Sequence, residues 1–380
     1  MNWFSAWLAA RVAVWQLAVL GAVLATAAPL IPRAAVFATC AAVLVFSGVR
    51  VRGRWLDQWL RVRFGFGRRV RRRAAHRPTT PLDVVAAGFD VRSYTNRAGN
   101  RLGLLTDGTS WVAVLRVELP PHTERTELQG RLRTLLDRLA AAFDDGDVRI
   151  ASTQLVTWAV PTPAAGLATG PGSPRSVAWR VHWAAVRFVP RACPAAVEAR
   201  GGGEHGAQRA AAAAALRLAA SLRQAGFPVR MLDSAEVRSE LSTSLGVDPT
   251  RPRTADSSEP EALLRPTETW ASWSIGALHH ASYRLRRPTR HRAVLAGALT
   301  WLARPPALST CVSVLFHRAD PGPPRAQVSV RVAVPADRTK RAVRAALRAA
   351  TKDLGVHAVA MNGAHASGVQ ATIPLCGAVD

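Results

Sequence analysis

The chain has 380 residues, of which 49% are hydrophobic, and its 50 Lys plus Arg against 25 Asp plus Glu give a formal net charge of +25. This hydrophobic content excludes a largely disordered chain, because disorder requires low hydrophobicity together with high charge. The excess of bases predicts a negatively charged partner, either nucleic acid or an anionic membrane surface. The four cysteines form no CxxC motif and no close Cys/His cluster, which argues against a structural zinc site and a disulfide scaffold.

Two long apolar segments open the chain. The first covers about 12–30, with Gln16 as its one strongly polar residue, and the second covers 34–49 without a charge. As helices these segments would span roughly 28 Å and 24 Å, close to the hydrocarbon thickness of a bilayer, about 30 Å. The link 29–33 has room only for a tight reversal. The sequence therefore predicts a transmembrane hairpin.

The apolar start of the chain has two alternative interpretations. A secretory signal peptide could use Ala25-Thr26-Ala27 as its cleavage site, but the first apolar run is too long and a second run follows at once. A buried soluble helical hairpin is disfavoured because neither run has a polar face.

A strongly basic segment follows the hairpin and predicts its orientation. Residues 50–77 contain eleven arginines and one acid, Asp57, whereas the link between the spans offers only Arg33. Positively charged segments stay on the cytoplasmic side. We therefore expect a multi-pass protein of the plasma membrane with both termini in the cytoplasm.

Tryptophans spaced four residues apart flank both ends of the hairpin and share a helix face in each pair. With the arginines they are typical of residues that contact the membrane interface and anionic headgroups. A nucleic-acid-binding arm is the alternative for the 68–73 cluster, and Gly65 and Gly67 are expected to break the juxtamembrane helix. The predicted lipid-interface residues are Trp3, Trp7, Arg50, Arg52, Arg54, Trp55, Trp59, Arg61, Arg63, Arg68, Arg69, Arg71, Arg72 and Arg73.

The remainder alternates strand and helix patterns, which predicts an α/β fold, with α+β as a possibility. The expected organisation is a hairpin over 1–49, a basic juxtamembrane segment over 50–80, and a cytoplasmic mixed α/β domain or pair of domains over 81–380, with loops near 161–176 and 247–268. The predicted strands are 102–106, 111–117, 148–160, 178–189, 227–232, a stretch from 270 towards 283, 311–316, 328–334, 356–361 and 369–374. The predicted helices are 123–143, 205–225, one after Asp233 with Glu236 as a capping box, and 337–353, while 293–303 fits either type.

No motif carries a recognisable chemistry. The chain contains no GxxxxGK[ST], GxSxG or HExxH pattern. Asp145-Gly-Asp147 imitates the DxD metal site of nucleotide-sugar transferases, but Asp and Gly are also the expected residues of a helix-to-strand turn. His279-His280 should point to opposite sides of a strand, and the Gly201–Gly203 run lacks a phosphate-binding fingerprint. We predict no catalytic residue, no cofactor and no metal site.

Two stretches resemble a known family. The segment 103–117, GLLTDGTSWVAVLRV, resembles the first hairpin of EccE proteins, and 270–284, WASWSIGALHHASYR, is similar to a later Trp/His/Tyr segment of that family. EccE is a membrane component of actinobacterial type VII (ESX) secretion. The resemblance implies a non-catalytic subunit at the periphery of a complex with a ubiquitin-like-domain multispanning subunit, a large periplasmic subunit and an FtsK-like ATPase.

Together these observations predict a non-catalytic, membrane-anchored structural subunit of a type VII secretion complex, with anionic lipids and the other subunits as partners. The alternatives are a membrane-bound nucleotide-sugar transferase and a membrane-tethered nucleic-acid-binding protein. Because about ten of the positive charges lie beside the second span, where they signal topology, no nucleic acid is expected as a partner.

Overall fold

The structure is a computed structural model, and the chain separates into two compact units, Met1–Ala75 and His76–Asp380. The described residues are 3–27, 29–51, 54–75, 81–85, 88–96, 99–120, 124–144, 146–161, 177–246, 265–276, 278–286, 291–302, 307–319, 322–335 and 340–377. The predicted loops at 161–176 and 247–268 lie largely outside these residues.

Three long helices and two short strands form the first unit, and helices and strands are interspersed along the second. The described helices are α1 (Trp3–Leu24), α2 (Leu30–Gly48), α3 (Leu56–Ala75), α4 (Pro81–Val85), α5 (Arg125–Ala141), α6 (Pro194–Glu198), α7 (Gly203–Gln224), α8 (Ser234–Leu245), α9 (Arg292–Trp301), α10 (Lys340–Asp353) and α11 (His365–Ala371). The described strands are β1 (Arg50–Val51), β2 (Arg54–Trp55), β3 (Asp90–Thr95), β4 (Arg101–Thr106), β5 (Trp111–Val117), β6 (Ile150–Pro161), β7 (Val177–Phe188), β8 (Val229–Met231), β9 (Thr267–Glu268), β10 (Trp273–Ile275), β11 (Leu278–Arg286), β12 (Ser309–His317), β13 (Arg325–Pro335) and β14 (His357–Ala360).

In the first unit, α1 and α2 form an antiparallel helical hairpin. Trp15 Nε1 donates to Ser47 Oγ at 2.9 Å, and a Cβ on Gly21 would lie 3.7 Å from Cys40 Sγ. The reversal uses a short 3-10 helix, Ala25–Ala27, and α2 already begins at Leu30. The expected reversal at 29–33 is therefore placed too late. Prolines 29 and 32 occupy the start of α2, where a missing N–H costs no helical hydrogen bond.

Helix α3 continues through Gly65 and Gly67, so the expected break at these glycines is wrong. A glycine inside a helix costs about 1 kcal/mol relative to alanine. Opposing this cost, a one-sided apolar face spaced at three and four residues favours the helical conformation along the whole segment.

The second unit is built on a 12-stranded sheet in which every described pairing is antiparallel. Its order is β3-β4-β5-β7-β6-β12-β13-β11-β10-β9, with β8 paired to β5 and β14 paired to β11. The expected mixed α/β fold is confirmed, and the antiparallel pairing corresponds to the α+β form of that expectation.

The sheet contains the same topology twice. Strands and helices β5-α5-β6-β7-α7-β8 form a βαββαβ unit with the strand order β8-β5-β7-β6, and β11-α9-β12-β13-α10-β14 repeat it with the order β14-β11-β13-β12. This is the split-βαβ arrangement of ferredoxin-like folds. Each unit is preceded by a strand pair (β3-β4 and β9-β10) and followed by a helix (α8 and α11). We call these halves repeat 1 (residues 90–245) and repeat 2 (residues 267–371).

The repeats join through equivalent elements. Strands β6 and β12 pair antiparallel, from Thr310 opposite Ala159 to His317 opposite Ser152. Helices α5 and α9 pack antiparallel against each other, with the Arg125 guanidinium 4.4 Å from the Trp301 ring centre and Arg292 Nε 3.2 Å from an Asp137 carboxylate oxygen. Two repeats therefore share one continuous sheet and one helical layer.

Hydrophobic cores lie on both faces of the sheet. The larger core buries α5, α7, α9 and α10, and the other buries α4, α8 and α11. The alternation in β13 shows how the sequence builds both: Val330 and Val332 enter the larger core, while Arg331 points to the other face. On α7, buried alanines four residues apart allow the helix to approach the sheet closely.

Most predicted elements are confirmed with boundaries shifted by a few residues. The ambiguous segment 293–303 contains helix α9. The predicted strand 369–374 is wrong, because helix α11 ends at Ala371 and irregular chain follows. Asp233 and Glu236 form the predicted capping box at the start of α8. The sequence also offered no strand at β3, the edge of the sheet.

Candidate functional site

The apolar surface of the hairpin is the most unusual feature of the described chain. All but three of the large hydrophobic side chains classed as exposed lie between Val12 and Val49, and α2 buries none of its residues. Soluble proteins rarely expose contiguous apolar surface of this extent. The surface is therefore suited to a lipid environment.

One described helix, Leu30–Gly48, is long and apolar enough to cross a membrane, as judged by length and composition. The neighbouring stretch Val12–Ala27 is apolar but shorter. This finding supports membrane association through at least one helix. The expected first span over about 12–30, and with it the multi-pass topology and the orientation of the termini, remain predictions.

Helix α3 has two chemically distinct faces. Trp59, Val62, Phe66 and Val70, spaced by three or four residues, are half-buried on one side, whereas Arg61, Arg68 and Arg71 are exposed. Arg61 lies one turn from Asp57, at 3.5 Å between its nitrogen and the carboxylate oxygen. A helix with one apolar face and a basic opposite face is suited to the boundary between headgroups and acyl chains.

The predicted lipid-interface residues are distributed over four elements of the first unit. Trp3 and Trp7 lie in α1, Arg50 in β1, and Arg54 and Trp55 in β2, with side chains outside the described part. Trp59, Arg61, Arg63, Arg68, Arg69 and Arg71 lie in α3 with described side chains, Arg72 and Arg73 lie in α3 without them, and Arg52 lies outside the described residues.

Asp147 is the described half of the DxD-like motif, and arginines occupy its carboxylate. Its two oxygens accept hydrogen bonds from Arg200 and Arg217, each at 2.5 Å. The hydrogen bond from Arg200, followed by that from Arg217, lowers the pKa of Asp147 to about 2. A divalent cation would compete with two guanidinium groups for the same oxygens. Asp145 lies outside the described residues.

The remaining candidate groups do not assemble into a site. His279 and His280 point to opposite sides of β11, as predicted: His279 Nδ1 lies 2.7 Å from Ser274 Oγ, and His280 is buried against the Trp273 ring. The glycines 201–203 have positive φ and lead into α7. No group of three or more potential metal-ligating side chains occurs in the described part of the chain.

Sequence reasoning missed a buried arginine that links the two repeats. Arg331 of β13 is 2% exposed; its Nη2 donates to the Ser244 carbonyl at the end of α8 and lies 2.9 Å from Cys311 Sγ. Burial, followed by the Arg331 charge, lowers the pKa of His280 well below its usual value. The signal was visible in the sequence, because a lone charge interrupts the apolar alternation VSVRVAV.

The fold and the anchor define a membrane-associated protein with a duplicated antiparallel α/β domain. Residues 176–285 match the family model described as "Putative type VII ESX secretion system translocon, EccE". This confirms the resemblance to EccE and supports a component of a type VII secretion system. A comparison with curated proteins finds no match.

The matched region crosses the boundary between the repeats. It runs from the start of β7 to the penultimate residue of β11 and includes the resembling segment 270–284, whereas the segment 103–117 lies outside it. Neither repeat is contained in the match. The remaining strands of each βαββαβ unit come from the flanking residues.

Proposed function

We propose that this protein is a non-catalytic structural subunit of a type VII secretion complex, anchored in the plasma membrane and stabilising the assembly through its cytoplasmic domain. The match of residues 176–285 to the EccE family carries this proposal. A component of a secretion system with an apolar anchor and a large α/β domain has the parts that such a role needs.

In this proposal α1 and α2 both cross the bilayer, and the short connection at 25–29 is exposed outside. The hydrogen bond between Trp15 and Ser47 would hold the two helices together where few polar partners exist. A hairpin of two spans makes attachment effectively permanent. Both termini would then be cytoplasmic, as the distribution of arginine around the spans predicts.

The arginines of the juxtamembrane segment and the flanking tryptophans would contact the headgroup region. Each arginine near an anionic surface contributes about 1 kcal/mol of attraction. The exposed Arg61, Arg68 and Arg71 and the half-buried Trp59 support this role. Their function would be to fix the depth and orientation of the anchor, with anionic lipid as partner.

The partners proposed for the α/β domain are the other membrane subunits of the secretion system, including an FtsK-like ATPase. Energy for transport would come from that ATPase. Two observations agree with a non-catalytic domain: the chain has no nucleotide-binding P-loop in its sequence, and the described Asp147 carboxylate is held by two arginines.

Purification of the tagged full-length protein in mild detergent tests the proposal directly. We expect other type VII membrane subunits and the ATPase to co-purify, and deletion of the gene to reduce both complex stability and secretion. Absence of every secretion subunit from the purified material would contradict the proposal.

The triple replacement Arg61→Gln, Arg68→Gln and Arg71→Gln should lower the fraction of molecules with a cytoplasmic C-terminus, whereas the matched replacement of all three by lysine should keep this fraction unchanged.

Replacing Asp145 and Asp147 by asparagine is expected to leave secretion unchanged. The exposed Asp147 loses only ion pairs, which at exposed positions contribute about 1 kcal/mol or less. Secretion and complex assembly should be measured in parallel, with Asp137→Asn, which removes another exposed carboxylate paired with an arginine, as the control. Lost secretion from a fully assembled complex would instead favour a transferase that uses this motif.

A further inference from the structure

Strand β3 ends the sheet on the side of repeat 1, and its outer edge has no partner strand within the described residues. Backbone alternation identifies which of its groups face outwards. The Val91 carbonyl accepts from Arg238 Nη2 at 3.1 Å, and Gly103, which lies opposite Ser93, directs its N–H away from β3 to the Leu232 carbonyl at 2.8 Å. Antiparallel pairs alternate between bonded and unbonded residues. Val91, Ser93 and Thr95 therefore present N–H and C=O groups to the open edge.

The backbone N–H and C=O groups of Ser93 and Thr95 are available for hydrogen bonding at the open edge. Ser93 and Thr95 are exposed, and neither backbone has a hydrogen-bond partner among the residues that the structure describes. The hydroxyl of Ser93 is engaged separately with Ser234 Oγ at 2.8 Å. The opposite end of the sheet differs, because β9 has only two residues. A short edge strand is a common protection against unwanted pairing, and β3 is three times as long.

Two grooves run along β3 on the side of α7. One, of about 800 Å³, is lined by the first half of the strand, Trp111, the prolines 190 and 194, and the start of α7. The second, of about 790 Å³, is lined by the second half of β3 and by residues 199–209. Together they form a trough beside the open backbone groups, where the side chains of an added strand would fit.

The trough changes charge along its length. Glu198 and Glu204 line the first groove and form no ion pair within the described part of the chain, and Arg191 lines it as well. The other charged residues of this groove, Asp90, Arg92 and Asp107, are ion-paired. His205, Arg209 and Arg200, which pairs with Asp147, line the second groove. An occupant would match this pattern with a cationic side chain near Glu204 and an acidic side chain near Arg209. Complementary potentials of this kind fix the register of a bound segment.

We propose that β3 is a docking edge to which an extended protein segment adds as a further strand. Its backbone pairs with Ser93 and Thr95, and its side chains on the α7 side enter the trough with one basic and one acidic residue. Main-chain hydrogen bonds supply affinity in such strand addition, and the pockets for alternate side chains supply specificity. This inference does not depend on the secretion role.

The test screens random twelve-residue peptides against the full-length protein in detergent micelles. We expect the selected peptides to alternate β-branched residues and to combine one Lys or Arg with one Asp or Glu. On binding, the amide hydrogens of Ser93 and Thr95 should become protected from exchange. Binding should weaken at least tenfold in Ser93→Pro, which lacks the outward N–H, relative to Ser93→Ala, which loses the same hydroxyl but keeps the N–H.

Circular dichroism verifies the fold of each variant, and Thr95→Pro against Thr95→Ala repeats the comparison at the second open position. Charge reversal at Glu204→Lys should change the selected peptides from basic to acidic at the corresponding position. Equal binding to the proline and alanine variants, protection elsewhere in the chain, or failure to select any peptide would overturn the proposal. Selective binding of a peptide with the sequence of residues 90–95, together with dimerisation, would make a second copy of the chain the occupant instead.

Discussion

Truncating Trp183 to alanine is expected to lower the free energy of unfolding of the α/β domain by about 4 kcal/mol. Trp183 is fully buried in β7, and its Nε1 donates to a Glu240 carboxylate oxygen at 3.1 Å. Removal of a buried tryptophan side chain costs roughly 3–5 kcal/mol, since the cavity closes only in part. The same carboxylate also pairs with Arg116, so α8 loses part of its attachment to the sheet.

The control for this substitution lies on the same strand. Trp179 of β7 is 58% exposed, and Trp179→Ala should change the stability by about 0.5 kcal/mol or less. Denaturant unfolding of the full-length protein in non-ionic detergent, followed by near-ultraviolet circular dichroism, measures both variants. Equal effects of the two substitutions would show that the described packing of β7 is wrong.

Local patterns predicted the elements of the sheet well where a single physical rule decided them. Asp107-Gly108 between alternating apolar runs predicted the β4-β5 hairpin, and Gly108 indeed has φ +79°. Leucines at helical spacing predicted α5, and Gly226 after an alanine-rich run predicted the end of α7. Each of these features depends on residues within a few positions of one another.

The pairing and order of those elements in the sheet could not be predicted from the sequence in the same way. Pairing of β6 with β12 joins residues about 160 positions apart, and no local pattern encodes such a partner. The repeated topology is likewise not evident from strand and helix patterns alone. Helix α5, which follows β5 in repeat 1, corresponds to helix α9 in repeat 2. The sequence of α9 fitted either a helix or a strand.

The candidate membrane anchor was also predicted from the sequence only in part. Length and apolar composition predicted the hairpin, because a membrane-spanning helix must be apolar and long enough to cross the hydrocarbon layer. The continuity of α3 was missed, since the cost of two glycines was weighed without the apolar face that opposes it. Strand β3 was missed because its sequence, DVRSYT, is polar. An edge strand buries few side chains and needs little apolar periodicity.

The family match covers parts of both repeats. Residues 176–285 contain the second half of repeat 1 and only the first three strands of repeat 2. Strand β7 needs β5 and β6 on its two sides, and both lie outside the match. The conformation of the matched region therefore depends on strands from the flanking residues.

Acidification from pH 7.5 to pH 5 is expected to destabilise the α/β domain by at least about 2 kcal/mol. Burial, with a further contribution from Arg180, lowers the pKa of His182 to about 3, and burial lowers that of His280 as well. The unfolded chain, with histidine pKa values near 6.5, binds more protons than the folded chain in this range. Stability therefore falls with decreasing pH, by about 1.4 kcal/mol per pH unit for each histidine below 6.5.

Carboxylates do not obscure this window. The pKa values of Asp107 and Asp147 are lowered in the folded protein, so the stability that they contribute is lost only at more acidic pH, near and below 4. Urea unfolding between pH 7.5 and 5 should show the slope in the wild type and a smaller slope in His182→Gln and in His280→Gln. Burial also lowers the pKa of His317, so the double variant should keep a residual slope. An unchanged slope in both single variants would refute the assignment.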